Sequence, residues 1–200
     1  MGKKIYIILS NTGTLFSKAI GMYTKKELNH ASIAFDDELN EMYSFGRKSN
    51  HNPFNGGFIK ENPVDGLLQR ATCAIYECEV TDSEYLKMKS KITQMELQQK
   101  LYKYNLIGLL FVAINIEKER ENAFFCSQFV ATVMKECPSS QFQVSPPLTQ
   151  PHHFEQLSAL TLKFKGDLQT YISGKRKVEK PIHVSIWRKY ALSIASFIPH

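Results

Sequence analysis

Four cysteines in 200 residues are too few to frame a disulfide scaffold, and ten glycines with eight prolines exclude a collagenous or low-complexity chain. Long hydrophobic runs are also missing. The longest apolar stretch, Tyr104 to Ile116, is broken by Asn105, Gly108 and Asn115. It falls short of the ~20 residues that span a bilayer and reads as a buried helix. At the N-terminus Ile5 to Leu9 is an apolar run of five, where a secretory signal needs about seven to fifteen. Myristoylation would want Ser or Thr at position 6, where Tyr6 stands. The expectation is a cytoplasmic protein with no signal peptide and no transmembrane helix, its cysteines kept as thiols.

What is present suits one sizeable core: 43% hydrophobic and 22% charged residues. The net charge of +6 is unevenly placed. Residues 174–200 hold six bases and one acid, leaving 19 bases and 18 acids in the first 173. The chain therefore divides into one α+β domain, 1–173, and a basic segment, 174–200.

Periodicity and breakers give a coarse order of elements. Lys4 to Ser10 is a short buried strand ending at the turn Ser10-Asn11-Thr12-Gly13, and Thr14 to Tyr23 has helical spacing. Residues 30–35 and 41–45 flank an acidic turn and read as a β-hairpin. Residues 50–57 read as a loop, 71–80 as a strand, and 82–99 as a helix capped by Asp82. Helices are expected over 105–114 and 125–135. Beyond these come an extended crossing framed by Pro146, Pro147 and Pro151, a strand over 160–164 and a helical turn over 167–172.

The most suggestive chemistry lies in Phe124-Phe125-Cys126-Ser127-Gln128-Phe129-Val130. A cysteine in the first turn of a helix meets unpaired backbone N–H groups and the positive end of the helix dipole, both of which favour thiolate. A thiolate nucleophile needs a histidine to hold and return a proton. Of six histidines, His30 is set apart because it opens a strand, a rigid element that fixes its ring. Cys73 and Cys78, five apart on a strand, point to opposite faces. Adding Cys137, His152 and His153 gives no metal-ligand spacing, so neither metal nor cofactor is expected.

The run Asn29-His30-Ala31-Ser32-Ile33-Ala34, an acidic turn, Glu41-Met42-Tyr43-Ser44-Phe45-Gly46, and then Phe125-Cys126-Ser127-Gln128-Phe129-Val130 opening a late helix resembles the circularly permuted papain-like cysteine hydrolases of the YiiX and YebB kind. These are relatives of the NlpC-type cell-wall hydrolases and of the lecithin retinol acyltransferases. The stretch Leu9-Ser10-Asn11-Thr12-Gly13-Thr14 is similar too, and the resemblance covers roughly residues 4–165. It implies a permuted papain-like fold, in which a small antiparallel sheet presents His30 to the helix that begins at Cys126. It also implies hydrolysis or acyl transfer at an amide or ester carbonyl, with Cys126 attacking and its backbone N–H stabilising the oxyanion.

The family places a polar residue on the second hairpin strand to orient the imidazole. Here alignment favours Tyr43 and charge chemistry Glu41, with Ser44 on the other face of the strand; register is not fixed by sequence. Asn11, Thr12 and Ser127 are the candidates for contact with substrate, which would be a small molecule, a peptide or a lipid amide. Nucleic acid is not expected, because the body has no basic excess. The segment 174–200 joins a basic stretch to an aromatic-containing amphipathic helix, the pattern of a peripheral membrane anchor. A catalytically inactive module held at a membrane by this helix is the alternative to an enzyme.

Overall fold

The computed structural model of the chain describes residues 2–12, 26–47, 56–105, 116–117, 120–137 and 142–178. Strand β1 (Lys3–Asn11) is buried over Ile5–Ser10, which is why its sequence is a continuous apolar run instead of an alternation. It lies inside a six-stranded antiparallel sheet. The other strands are β2 (His30–Ala34), β3 (Met42–Arg47), β4 (Gly56–Glu61), β5 (Thr72–Val80) and β8 (Thr161–Asp167), in the order β4-β3-β2-β1-β5-β8. Two short strands, β6 (Lys103–Tyr104) and β7 (Ala123–Phe124), pair in parallel beside it.

Both faces of the sheet are covered. On one, Ile5, Ile7 and Leu9 of β1, Ile33 of β2 and Phe45 of β3 meet Met88, Ile92 and Met95 of helix α1 (Asp82–Leu97) and Phe129, Val130 and Val133 of helix α2 (Cys126–Met134). On the other, Tyr6, Ile8, Ala34 and Met42 meet Leu168, Tyr171 and Ile172 of helix α4 (Leu168–Val178). Cys73 and Cys78 fall on opposite faces, as a period of two requires. The protein is thus an α+β fold built on an antiparallel sheet with a few helices.

Local chemistry accounts for several boundaries. Helix α1 is capped by Thr81, one residue before the expected cap. The Thr81 Oγ1 accepts the Glu84 N–H and the Glu84 carboxylate accepts the Thr81 N–H, so both ends of the first turn are satisfied. Asp82 becomes a first-turn acid instead. The β2–β3 turn is held by the Asp36 carboxylate, which accepts the N–H groups of Glu38, Asn40 and Glu41 at 3.1, 2.9 and 2.6 Å.

Three expectations need correction. Gly56–Glu61, placed in or after a loop, is strand β4 paired to β3. A Cβ at Gly56 would stand 2.7 Å from the Gly46 carbonyl oxygen and 2.8 Å from the Tyr104 Cβ, so this strand approaches its neighbours only as glycine. Pro146–Leu148, expected within an extended crossing, is a turn of 3-10 helix, and it is followed by helix α3 (Pro151–Phe154). The short helical turn expected over 167–172 is an eleven-residue helix, α4, which packs on the sheet through Leu168, Tyr171 and Ile172. The helices expected over 14–23 and 105–114, and the amphipathic stretch over 182–198, lie outside the described residues apart from Asn105.

Candidate active site

Helix α2 supplies the sulfur. Its N-cap, Phe125, is extended and makes no side-chain cap, so the first N–H groups of the helix are free to serve the site. Every described side chain from Cys126 to Val130 is buried, which seats the helix end firmly on the sheet.

Strand β2 supplies the imidazole. It is laddered to β3 only at Ile33 and Ala34, so His30, Ala31 and Ser32 lie where the two strands part. Cys126 reaches the sheet here: its sulfur accepts the backbone N–H groups of Ala31 and Ser127 and hydrogen-bonds to His30. The His30 Nε2 lies 2.9 Å from the Glu61 Oε1, which leaves Nδ1 for the sulfur.

Strand β4 supplies the carboxylate on the far side of the ring. The Glu61 side chain is only 7% exposed, and both of its oxygens are engaged. Oε1 accepts from His30 and from the Ser44 hydroxyl at 2.8 Å, and Oε2 accepts from the Ser32 hydroxyl at 2.5 Å.

Electrostatics couple the three groups. Burial pulls the His30 pKa down, but the Glu61 charge and the hydrogen bonds to Cys126 and Glu61 outweigh it and push it up to about 10. Burial raises the Cys126 thiol, while the His30 hydrogen bond and charge and the N–H groups of Ala31 and Ser127 bring it below its ordinary value. Burial likewise opposes ionisation of Glu61, and His30, Ser32 and Ser44 hold it below the usual carboxylate range. All three balances favour the charged forms: thiolate, imidazolium and carboxylate in a row.

The expected site residues separate into those brought together and those left apart. Cys126 and His30 meet. Tyr43, favoured as orienter, is buried on the opposite face of β3, where its ring stacks on Phe58 with centroids 5.8 Å apart. Glu41 points to helix α1 and pairs with Lys89 at 2.8 Å. Ser44 does reach the site, but through Glu61 and not against the imidazole. Ser127 gives its N–H to the sulfur, while its buried hydroxyl donates to the Thr149 carbonyl at 2.7 Å and is thereby committed to structure. Asn11 and Thr12 lie at the end of β1 beside the start of β2, since Ser10 is the register partner of His30. The residue that sequence reasoning missed is Glu61, which follows Lys60 at the end of β4 and carries no local signal.

Among the described residues no cluster of three or more His, Cys, Asp or Glu side chains is placed to hold a metal ion, and no helix is long and apolar enough to cross a membrane. Comparison with protein-family models, with curated proteins and with solved structures found no match.

Proposed function

We propose that the protein is a cysteine hydrolase of permuted papain-like fold, acting at an amide or ester carbonyl with Cys126 as nucleophile, His30 as proton carrier and Glu61 as orienter. The observation that carries this reading is the contact of Cys126 and His30 at a helix N-terminus, with Glu61 on the far side of the ring. In the chain His30 precedes Cys126, the order of the permuted group that the sequence resembles.

In this mechanism the thiolate forms an S–C bond to the carbonyl carbon, and the carbonyl π pair moves to oxygen. The oxyanion lies against the Cys126 backbone N–H; a donor of this kind is worth about 3 kcal/mol of barrier. Collapse breaks the bond to the leaving amine or alcohol, which takes the Nδ1 proton of His30. A water molecule then gives a proton back to His30 as its oxygen attacks the thioester, and the C–S bond breaks with its pair on sulfur, releasing the acid and restoring the thiolate–imidazolium pair. Transfer to an amine or alcohol in place of water would make the same site an acyltransferase. The substrates that suit it are small acyl compounds, peptides and lipid amides, and the thiolate suits a reducing, cytoplasmic compartment.

The test uses p-nitrophenyl acetate and intact-mass detection of the trapped acyl protein. An added acetyl group on Cys126, absent in Cys126→Ala and slow to form in His30→Ala, is the expected result. Equal acetylation of the Cys126→Ala variant would sink the proposal.

A further inference from the structure

We propose that Ser32 and Ser44 are positioning residues of this site, a two-strand clamp that fixes the Glu61 carboxylate and through it the orientation of the His30 ring. The inference rests on the cysteine-hydrolase reading and assigns to two serines a role in that same site.

A glutamate has three rotatable side-chain bonds and no geometry of its own. Glu61 must also act across an intervening strand, because β3 lies between β2 and β4. The two strands other than its own provide what is needed. Ser32, on β2 two residues beyond His30 and on the same face, donates to Oε2. Ser44, on β3, donates to Oε1, the oxygen that also meets the imidazole. With one donor on each oxygen the carboxylate plane can neither turn nor withdraw without leaving a hydroxyl unpaired.

Burial gives the clamp its force. Ser32 is 1% and Ser44 0% exposed, so a lost bond would not be replaced by bulk water, and an unpaired buried group costs about 1–3 kcal/mol. Among the described residues, the ionisable groups facing this assembly are His30 on β2, Cys126 on α2 and Glu61 on β4. The serines act on the middle member only through the carboxylate. Their role is positional, since neither hydroxyl is bonded to the ring or the sulfur.

Two readouts on the full chain test this. In protein labelled with ¹⁵N-histidine, the ring N–H of His30 facing Glu61 should give a downfield, slowly exchanging proton signal, assigned by its loss in His30→Ala. It should broaden or vanish in Ser44→Ala and in Ser32→Ala/Ser44→Ala. Iodoacetamide alkylation of Cys126 at pH 6 should slow about tenfold in the double variant, in line with the effect of removing a partner that orients a functional ligand. Should the double variant not fold, the single variants carry both measurements. An unchanged ring signal together with an unchanged alkylation profile in a folded serine variant overturns the clamp. A wild-type Cys126 no more reactive than the other thiols would instead overturn the hydrolase reading, and the ring signal would still decide whether the serines hold His30.

Discussion

The His30 Nε2 and the Glu61 Oε1 lie 2.9 Å apart although the residues stand 31 positions apart in the chain and two strands apart in the sheet. This bond makes the imidazole a bridge: one nitrogen is held by a carboxylate, the other faces the Cys126 sulfur. Removing the charge while keeping the shape separates the two contributions. Glu61→Gln keeps an acceptor oxygen for the ring but cannot stabilise imidazolium, so the His30 pKa falls from about 10 toward its burial-lowered value. NMR titration of the ring should show that fall. A His30 titration unchanged in Glu61→Gln would dissociate the carboxylate from the imidazolium.

Stability against pH carries the same signature with opposite signs at its two ends. Glu61 titrates below its ordinary value in the folded chain, so its contribution is present above about pH 4.5 and is lost as pH falls through the folded value. His30 titrates above its ordinary 6.5, so its contribution is complete below that pH and is lost as pH rises toward 10. Thermal melts should therefore show the gap between wild type and Glu61→Gln closing on the acid side. The gap to His30→Ala should narrow between pH 6.5 and 10. Gaps that stay constant with pH would mean that neither charge is coupled to folding.

How much of this was legible in the sequence follows from the range of each interaction. The closeness of Cys126 and His30 was legible because the signals are local: a cysteine at the onset of an apolar helical pattern and a histidine opening a short apolar strand. The hairpin from β2 to β3 was legible for the same reason, through the acidic turn that Asp36 organises. Glu61 was not. Its role depends on the register of β3 against β4 and on where β2 and β3 part, and neither is encoded within a few residues of position 61. Glycines at 56 and 57 were read as loop punctuation, whereas Gly56 is there to let β4 approach Gly46 and Tyr104. Tyr43 looked like an orienter because it shares a strand with the correct region. The period of two turns it to the aromatic core instead.

Gly46 lies under the imidazole, and size at this position should control the ring. A Cβ there would stand 3.3 Å from the Ile59 Cδ1 and 3.6 Å from the His30 Cε1. The Ile59 side chain can give by the few tenths of an ångström that alanine asks, so Gly46→Ala should keep fast Cys126 alkylation. Gly46→Val adds two methyl groups on a stiff branched carbon and should displace His30, slowing alkylation at pH 6 and shrinking the acid-side contribution of Glu61 to stability, which His30 supports. Equal rates for the glycine, alanine and valine proteins would show that the ring is not packed on this strand.

Ser127 offers the cleanest division between structure and chemistry, because its two polar groups face different partners. The hydroxyl donates to the Thr149 carbonyl and ties the turn after Pro146–Leu148 to the start of α2, while the backbone N–H donates to the Cys126 sulfur. Ser127→Ala removes only the first bond and leaves the buried Thr149 carbonyl without that donor, a loss of about 1–3 kcal/mol. Denaturant titration should register it as a lower midpoint with the same slope. The alkylation profile of Cys126 should be that of the wild type, since the N–H that helps hold the thiolate belongs to the main chain. A raised thiol pKa in this variant would place the Ser127 hydroxyl in the chemistry and revise its assignment as a structural group.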